Sequence, residues 1–345
     1  MPSEKFRNAL ERVAQPVPPV WFMRQAGRYH KHYAALRARH SFMELCTNPE
    51  LAAEVALGPV ADFDFDVAIL FSDLLFPLQA LGLSLTYEDS GPVLEPHLDV
   101  HQLRRLRSLD DALPGLEFQR EAMRMTRAII PQDKSVIGFV GGPWTLFVYA
   151  VEGSHKGSLT DSRISSALYR AFADRLVPLL IENIRLQLDG GAEVVMIFDT
   201  AAGELAPAWF HRHVASDLAA LFAAFPGRIG YYARGTQPAH LRDARFGPGP
   251  LAGIGVDWRW DLREAFAIGE DVGFVQGNFD QSLLFLPPDE FQKELAAYLE
   301  PIVQLTAAER RGWVCGLGHG VLPRTPEENV RTFVRTIREV FHASS

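Results

Sequence analysis

The chain has 345 residues, of which 48% are hydrophobic and 22% are charged, and its formal net charge is −8. This length permits one large domain or two smaller ones, and the composition fills a sizeable core and excludes a disordered chain. The acidic balance disfavours general binding of nucleic acid, which needs a broad basic surface. An anionic ligand would therefore need a local cluster of arginines.

The N-terminal segment, about residues 1–16, is expected to be a helical extension of the domain. Charges recur through it, so it lacks the apolar centre of a signal peptide. The rest of the sequence has no long uncharged apolar run that would predict a membrane span. We therefore expect a cytoplasmic protein that does not insert into membranes. Cys46 and Cys315 are far apart and give no disulfide framework.

A short apolar run from Val20 to Met23 follows three prolines and predicts a buried strand. The polarity changes at its end, where Arg24 and Arg28 lie on either side of Gly27. Gly27 permits a turn, because glycine adopts backbone angles that other residues resist. A guanidinium keeps its charge and therefore needs an anionic partner. That partner could be a ligand or an acidic side chain of a neighbouring loop.

Seven further segments are predicted to be buried strands, and most of them precede a helical pattern. The strand segments are centred near Val67, Val136, Val194, Ile229, Ile254, Phe274 and Val314. The helical patterns cover about 48–60, 117–130, 162–188, 207–224, 262–267, 288–305 and 327–341, with a short one after residue 237. Asn48 followed by Pro49 is typical of a helix start. The apolar residues 144–151 are expected to continue the strand at Val136, and residues 89–116 to form a polar connection.

Eight strand–helix units without a linker or a composition break indicate one domain over residues 1–345. They predict an α/β fold, a single-domain (β/α)8 TIM barrel. A doubly wound open sheet is the alternative, but the first strand lacks GxGxxG and the sequence contains no GxxxxGK[ST]. Barrel enzymes place their sites at the C-terminal ends of the strands. Those ends carry Arg24, Asp73, Gly141, Gly142, Asp199, Thr200, Arg234, Asp257, Asn278 and the segment 318–320.

Two of these strand-end residues are the strongest candidates for chemistry. Asp73 ends an apolar strand and precedes a second apolar run. It could cap the next helix, pair with an arginine, or stabilise a cationic intermediate at the mouth of the barrel. His319 could be a structural hydrogen-bond donor, but the glycine on each side indicates backbone strain or the close approach of a ligand, and with the strand-end position this favours binding. Ser72 is expected to be structural, because no GxSxG elbow surrounds it.

The sequence does not predict a metal site. HExxH, His-x-Cys and CxxC are all missing from it, and Cys315 is expected to lie in the core. The histidine pairs His30/His32 and His211/His213 lie in charged or helical surroundings, so we expect them to be exposed.

Three longer motifs resemble those of the uroporphyrinogen decarboxylase family. They are PVWFMRQAGRY at 19–29, GPWTL at 142–146, and GHGVLP at 318–323 with TPE at 325–327. The segments from Phe42 to Cys46 and from Phe71 to Asp73 fit as well. The resemblance covers nearly the whole chain, from about residue 18 to residue 340.

The resemblance implies a (β/α)8 barrel that forms a homodimer with facing clefts and uses neither a metal nor an organic cofactor. It implies a carboxy-lyase that removes carbon dioxide stepwise from the four acetate side chains of uroporphyrinogen III. The product would be coproporphyrinogen III, for haem and chlorophyll synthesis. Protonation of a pyrrole carbon would make the ring an electron sink, and Asp73 would stabilise that cation. The proton would come from Arg24 or from a nearby water.

The resemblance also implies roles for individual residues. Asp73, Arg24 and Arg28 would be catalytic. The positions implied to contact the substrate are Arg24, Gln25, Ala26, Arg28, Arg37, Asp73, Tyr149, Thr200 and His319. The arginines would bind carboxylates, and Asp73 would meet the pyrrole N–H groups. Thr200 replaces the serine usual in the family, which keeps the hydroxyl and adds a methyl group to the wall beside it.

Two other functions are compatible with such a barrel. A related class transfers methyl groups from corrinoid proteins to thiols and binds zinc through His and Cys, but residues 230–241 contain no His-x-Cys. A non-catalytic porphyrin-binding protein is the third possibility. The presence of Arg24, Asp73, Tyr149 and His319 argues against it.

Overall fold

The computed structural model describes residues 3–88, 91–155, 157–246 and 249–343. Within these ranges it has seventeen α-helices and nine strands. The strands are β1 (Val67–Ile69), β2 (Ser84–Glu88), β3 (Gly91–Glu95), β4 (Ser135–Gly141), β5 (Val195–Phe198), β6 (Ile229–Tyr232), β7 (Gly253–Gly255), β8 (Phe274–Phe279) and β9 (Trp313–Leu317).

The helices account for the rest of the regular structure, apart from short 3-10 turns at 113–116, 202–204, 244–246 and 281–285. They are α1 (Glu4–Leu10), α2 (Lys31–Arg37), α3 (Phe42–Thr47), α4 (Pro49–Phe63), α5 (Phe76–Ala80), α6 (Val100–Leu103), α7 (Leu109–Ala112), α8 (Phe118–Ile129), α9 (Pro143–Glu152), α10 (Thr160–Ile164), α11 (Ser166–Asp189), α12 (Pro207–His213), α13 (Ala215–Ala224), α14 (Pro238–Leu241), α15 (Leu262–Val272), α16 (Pro288–Val303) and α17 (Glu327–Ala343). None of the described helices is long and apolar enough to cross a membrane.

Seven strands form one curled sheet in the order β1-β4-β5-β6-β7-β8-β9, and every neighbouring pair is parallel. Their residues are buried almost throughout, as expected for parallel strands that are covered on both faces. The seven strands predicted after Val20 are confirmed. The other two strands, β2 and β3, pair as an antiparallel hairpin beside the sheet.

The first predicted strand is wrong in extent, because Val20 makes only an isolated parallel bridge to Cys315. The segment still contacts both edges of the sheet: the Cys315 amide donates to the Pro19 carbonyl (2.9 Å), and the Asp66 amide donates to the Val20 carbonyl (3.0 Å). Pro18 and Pro19 have no N–H, so the ladder cannot extend through them. The fold is therefore an α/β domain with a curled seven-stranded sheet, where the sequence predicted eight full strands of a TIM barrel.

The apolar core has one part inside the curl of the sheet and one between the sheet and the surrounding helices, and a smaller cluster joins α2, α3 and α4. The inner part includes Phe6 and Ala9 of α1, packed with strand residues such as Met196 and Phe274. The Ser3 amide donates to the Ser135 hydroxyl at the start of β4 (3.1 Å). Helix α1 therefore closes the N-terminal ends of the strands and leaves their C-terminal ends open.

The prediction that residues 144–151 continue a strand is wrong, because they form helix α9. Pro143 occupies a first-turn position, which its fixed φ favours, and the extended Gly142 precedes it. Seven of the ten residues of α9 are buried. A helix buried on nearly every side shows no polar stripe, so its sequence cannot be distinguished from a buried strand by periodicity.

Two smaller expectations also need correction. The polar connection at 89–116 contains β3, α6 and α7 in its described part, and residues 89 and 90 lie outside the described residues. His30 was expected to be exposed, but it is buried and its Nε2 lies 2.7 Å from an Asp62 carboxylate oxygen. The N-cap prediction is confirmed: the Asn48 side chain accepts hydrogen bonds from the Glu50 and Leu51 amides.

Candidate active site

The open ends of the strands surround a cleft with a cavity volume of about 200 Å³. Strands β1, β4, β5 and β6 and the loops after Val20 and after β9 supply its walls. Six of the nine residues implied to contact substrate line this cleft: Arg24, Gln25, Ala26, Asp73, Thr200 and His319. Most of the residues that the resemblance implies to contact substrate therefore lie in one place.

Arg28 and Arg37 line a second cavity of about 470 Å³ instead. Both side chains are exposed, and one Arg37 N–H donates to the His40 carbonyl (2.5 Å). The two cavities share an aromatic wall, because Phe71 of the cleft contacts Phe42 of the second cavity, with ring centroids 6.0 Å apart. The predicted arginine cluster is thus divided between two adjoining cavities.

Asp73 lies just beyond β1, at the edge of the cleft, and is half-buried. Its Oδ1 accepts a hydrogen bond from the Leu75 amide (2.8 Å), which closes a turn just before α5. The helix-capping alternative is wrong, because the N-cap of α5 is Leu75 and this helix has no side-chain cap. The Tyr87 hydroxyl faces the carboxylate without reaching hydrogen-bond geometry. Burial raises the pKa of Asp73, while the Leu75 amide, Tyr87 and Arg24 oppose that rise. Such a carboxylate gains from any further N–H donor that enters the cleft.

Arg24 takes the left-handed backbone conformation (φ 57°) that the sequence suggested for Gly27. A residue other than glycine is strained there, and such strain is concentrated at functional sites. Its side chain runs across Gly320, where an added Cβ would lie 2.4 Å from the Arg24 Cδ. At Gly318 an added Cβ would lie 2.4 Å from the Trp258 amide nitrogen. Neither glycine has a positive φ, so each is explained by close contact, Gly318 with backbone and Gly320 with the Arg24 side chain.

His319 is half-buried in the cleft, and its Nδ1 lies 3.0 Å from the Tyr232 hydroxyl. Burial, together with the positive charges of Arg24, Arg234 and Arg259, lowers the pKa of His319 to about 3. The imidazole is therefore neutral at physiological pH and cannot form an ion pair with a carboxylate.

We expect the His319 ring to remain uncharged between about pH 5 and pH 8, well above its folded-state pKa. An NMR titration of the histidine Cε1–H signals tests this, with the His319 signal identified by its loss in His319→Gln. An inflection near the ordinary pKa would contradict it. Because the unfolded chain binds a proton that the folded one does not, this residue lowers the free energy of unfolding as the pH falls below about 6.5.

Tyr149 belongs to α9, and its hydroxyl lies 2.6 Å from His155 Nδ1. Burial, together with the charge of Asp73, raises the pKa of Tyr149 to about 12, and Arg24 opposes the rise. The hydroxyl therefore stays protonated and lies within electrostatic reach of both Asp73 and Arg24. It does not belong to the cleft wall itself.

Gln25 and Thr200 contribute differently to the cleft. The side-chain Nε2 of Gln25 donates to the backbone carbonyl of Val67 (3.1 Å), and the Tyr29 hydroxyl donates to the backbone carbonyl of Gln25 (2.7 Å). These bonds attach the Arg24 loop to β1, so Gln25 has a structural role beside its place in the wall. Thr200 follows β5 and is half-buried in the wall.

Sequence reasoning assigned no role in the site to several polar residues of these cavities, among them Tyr232, Tyr87 and Ser72, which was expected to be structural. Tyr232 and Ser72 line the cleft, and Tyr87 of β2 lines the second cavity. The Ser72 and Tyr87 hydroxyls are buried without a hydrogen-bond partner in the described part of the chain. The signal for Tyr232 was its place at the end of a predicted strand. Tyr87 had no such signal, because its hairpin was not predicted.

Over residues 3–88, 91–155, 157–246 and 249–343, no three His, Cys, Asp or Glu side chains group so that they could hold a metal ion. Cys46 and Cys315 are both buried as free thiols.

The cleft at the C-terminal ends of a curled parallel sheet places the chain among the barrel-like α/β proteins. Its fold is similar to that of a methyltransferase from Methanosarcina mazei, with a TM-score of 0.73 over 99% of this chain and 100% of that one. Only 20% of the aligned residues are identical, so this similarity concerns the fold alone.

The sequence comparisons identify the family. The uroporphyrinogen decarboxylase (URO-D) family matches residues 1–340. The uroporphyrinogen decarboxylase of Chloroflexus aggregans is 36% identical over 349 residues, covering 97% of this chain and 95% of that protein. That of Gloeobacter violaceus is 35% identical over 349 residues, covering 95% of each. The chain belongs to the uroporphyrinogen decarboxylase family, and it is a carboxy-lyase of tetrapyrrole biosynthesis.

Proposed function

We propose that the chain decarboxylates the four acetate side chains of uroporphyrinogen III in turn and releases coproporphyrinogen III. The family supports this substrate. The arrangement of charges in the two cavities supports the site: the Asp73 carboxylate lies with Arg24 in the cleft, and Arg28 and Arg37 lie in the adjoining cavity. A macrocycle with N–H donors at its centre and carboxylates at its rim would place its centre at the Asp73 carboxylate and its rim at the arginines.

Asp73 would accept hydrogen bonds from the pyrrole N–H groups through the oxygen that Leu75 does not use. A proton then adds to a carbon of the pyrrole ring and makes the ring cationic, and the carboxylate charge stabilises that cation. The bond to the departing carboxylate breaks, its electron pair enters the ring, and an exocyclic methylene remains. Uptake of a proton by the methylene and loss of the proton from the ring carbon give the methyl group. Each carbon dioxide released thus consumes one proton.

The arginines would orient the substrate. Guanidinium groups bind carboxylates in bidentate geometry, and a fixed ring is held near the geometry of reaction. Arg24 lies close enough to lower the pKa of His319 and to oppose the rise in that of Asp73. It would hold the reacting side of the ring, and Arg24 or a water bound to it would deliver the proton. Arg28 and Arg37 would hold carboxylates at the opposite rim.

Anaerobic incubation with uroporphyrinogen III tests the proposal. Chromatography of the oxidised products should show intermediates with seven, six and five carboxyl groups, followed by coproporphyrin III. Heat-denatured protein provides the background. Recovery of unchanged substrate from folded protein would overturn the proposed function.

We expect Arg28→Ala to raise the KM for uroporphyrinogen III about tenfold and to leave kcat within about twofold, because a carboxylate contact at the rim is made equally in the ground and transition states. Steady-state kinetics measure both constants. Arg39→Ala is the matched control, since Arg39 is an exposed arginine of the same region that lines neither cavity. Equal effects of the two variants would show that only overall charge matters.

We further propose that residues 1–345 form one (β/α)8 barrel domain, with the segment about 1–16 as its N-terminal extension. The hydrogen bonds of Pro19 and Val20 to both sheet edges support closure by this segment as an eighth strand. The resemblance to the family supports a homodimer, and we also propose a cytoplasmic location. Light scattering should give twice the mass of the chain, and a monomeric mass at the assay concentration would contradict the dimer.

A further inference from the structure

The strongest unassigned feature of the cleft is the pair formed by Tyr232 and His319. Tyr232 ends β6, and its side chain is 1% exposed while still lining the cleft. Its hydroxyl oxygen lies 2.8 Å from the Gly318 carbonyl oxygen and 3.0 Å from His319 Nδ1. The two rings are stacked, with an interplanar angle of 16°. One phenol thus contacts two partners, and one of them, His319, lines the cleft.

The number of available protons fixes the direction of both hydrogen bonds. A phenol has one hydrogen, and a carbonyl oxygen can only accept. The hydrogen of Tyr232 must therefore lie between its oxygen and the Gly318 carbonyl, since two bare oxygens 2.8 Å apart would repel each other. The phenol oxygen is then left as an acceptor, and the bond to His319 requires a hydrogen on Nδ1.

The phenol keeps its hydrogen under all physiological conditions. Burial and the charge of Asp257 raise the pKa of Tyr232, and Arg234, Arg24 and Arg259 oppose the rise. The position of the ring is also fixed, because Gly255 on the neighbouring strand leaves room for it: an added Cβ there would lie 2.9 Å from Tyr232 Cδ2. Tyr232 is thus a rigid group that accepts one hydrogen bond from the imidazole.

We propose that Tyr232 is a positioning residue that holds His319 in the tautomer with hydrogen on Nδ1, so that Nε2 presents a lone pair to the cleft. Nε2 has no hydrogen-bond partner among the residues that the structure describes. A neutral ring nitrogen with a lone pair accepts from N–H donors and repels carboxylates.

This inference rests on the proposed function only where it names the donor, which would be a pyrrole N–H group. Asp73 and Nε2 would then be two acceptors in one cleft, facing a ring that carries its donors at the centre. The carboxylates of the rim would avoid the lone pair of Nε2 and bind guanidinium groups instead. The pair therefore sets which part of the macrocycle enters the cleft.

The tautomer is measurable in the free enzyme without any substrate. Long-range ¹H–¹⁵N correlation spectra of protein labelled in histidine distinguish a protonated Nδ1 from a protonated Nε2. We expect the His319 signal, assigned by its loss in His319→Gln, to show hydrogen on Nδ1. In Tyr232→Phe we expect hydrogen on Nε2 to become the major form, and in Tyr231→Phe no change. Tyr231 is the matched control, because it adjoins Tyr232 and its side chain packs against Phe222 and Phe246, outside the cleft.

Kinetics then test the consequence for substrate. Tyr232→Phe should lower kcat/KM about tenfold, the effect of losing one orienting hydrogen bond, and should cause no further loss when combined with His319→Gln. Hydrogen on Nε2 in the wild type, or an unchanged tautomer in Tyr232→Phe, would overturn the inference. Independent losses in the double variant would overturn the role in substrate binding. A failure of the wild type to convert uroporphyrinogen III would refute the proposed function and leave the tautomer measurement valid.

Discussion

Asp73→Asn is expected to lower kcat/KM for uroporphyrinogen III by about 10²- to 10³-fold, the range typical of losing one preorganised electrostatic contact to the transition state. The substitution keeps the shape of the side chain and the oxygen that accepts from the Leu75 amide. It removes the negative charge and turns the second oxygen into an N–H₂ donor. That donor would face the N–H groups of the substrate, so both binding of the ring and stabilisation of its cation are lost.

The fold should be intact in this variant, because the structural hydrogen bond of Asp73 is retained. Thermal unfolding and circular dichroism test whether the fold of the variant is intact. Asp110→Asn provides the control, since Asp110 is an exposed aspartate in the first turn of α7 and lies in neither cavity. Near-normal turnover by Asp73→Asn would remove Asp73 from the mechanism. A large fall in Tm would instead show that its main role is structural.

The fold was predictable wherever a sequence pattern fitted only one type of secondary structure. The buried strands β4 and β5 are continuous apolar runs with glycines or a polar residue at their ends, and they appear where predicted. The prediction of a full strand at Val20 was wrong because Pro18 and Pro19 lack the N–H groups that a hydrogen-bonded ladder needs. The prediction of a strand at α9 was wrong for a different reason: the helix is buried so completely that its sequence shows no polar stripe of helical period. Both errors arise because burial and pairing are properties of the tertiary structure.

The candidate site was predictable to the extent that strand ends define it. Asp73 and His319 follow β1 and β9, and both reach the cleft. Arg28 and Arg37 belong to the segment after the Arg24 turn, where strand position no longer fixes direction, and they reach the second cavity instead. Tyr87 was missed because it enters from a hairpin outside the main sheet. The contacts of this loop and this hairpin depend on tertiary packing, which cannot be read from spacing along the sequence.

The charges of the cleft explain how an acidic protein can bind a ligand with many carboxylates. The chain carries a net charge of −8, but Arg24, Arg234 and Arg259 are close enough to His319 to lower its pKa together. The field at His319 is therefore positive, although Arg259 forms an ion pair with Asp257 (2.8 Å) and Arg234 lies 3.9 Å from Glu204. A low-dielectric cleft strengthens such electrostatic effects. Within that field the Asp73 carboxylate is the group that an N–H donor or a cation would meet. The cleft thus separates two functions, attraction of the rim and stabilisation of the ring.

Gly320→Ala is expected to reduce kcat/KM at least tenfold by displacing the Arg24 side chain. An added Cβ would lie 2.4 Å from Arg24 Cδ and 2.7 Å from its Cγ, which no real contact permits. The backbone at Gly320 has no positive φ, so alanine is tolerated there apart from this contact. Arg24 is exposed and can move away at small cost in the free energy of unfolding. The guanidinium then leaves the position where it holds the substrate, and the activity falls while the Tm is nearly unchanged.

A double-mutant cycle tests whether Gly320 acts through Arg24. Arg24→Ala should itself lower kcat/KM about 10²-fold, and Gly320→Ala should add less than about twofold to that loss, because no side chain remains to be displaced. Gly318→Ala is the contrasting control: an added Cβ there meets the Trp258 backbone at 2.4 Å, so this variant should lose thermal stability first. Full additivity of the Arg24 and Gly320 effects would contradict the proposed contact. In that case, the second glycine of the GHG motif would have to act on the ligand directly.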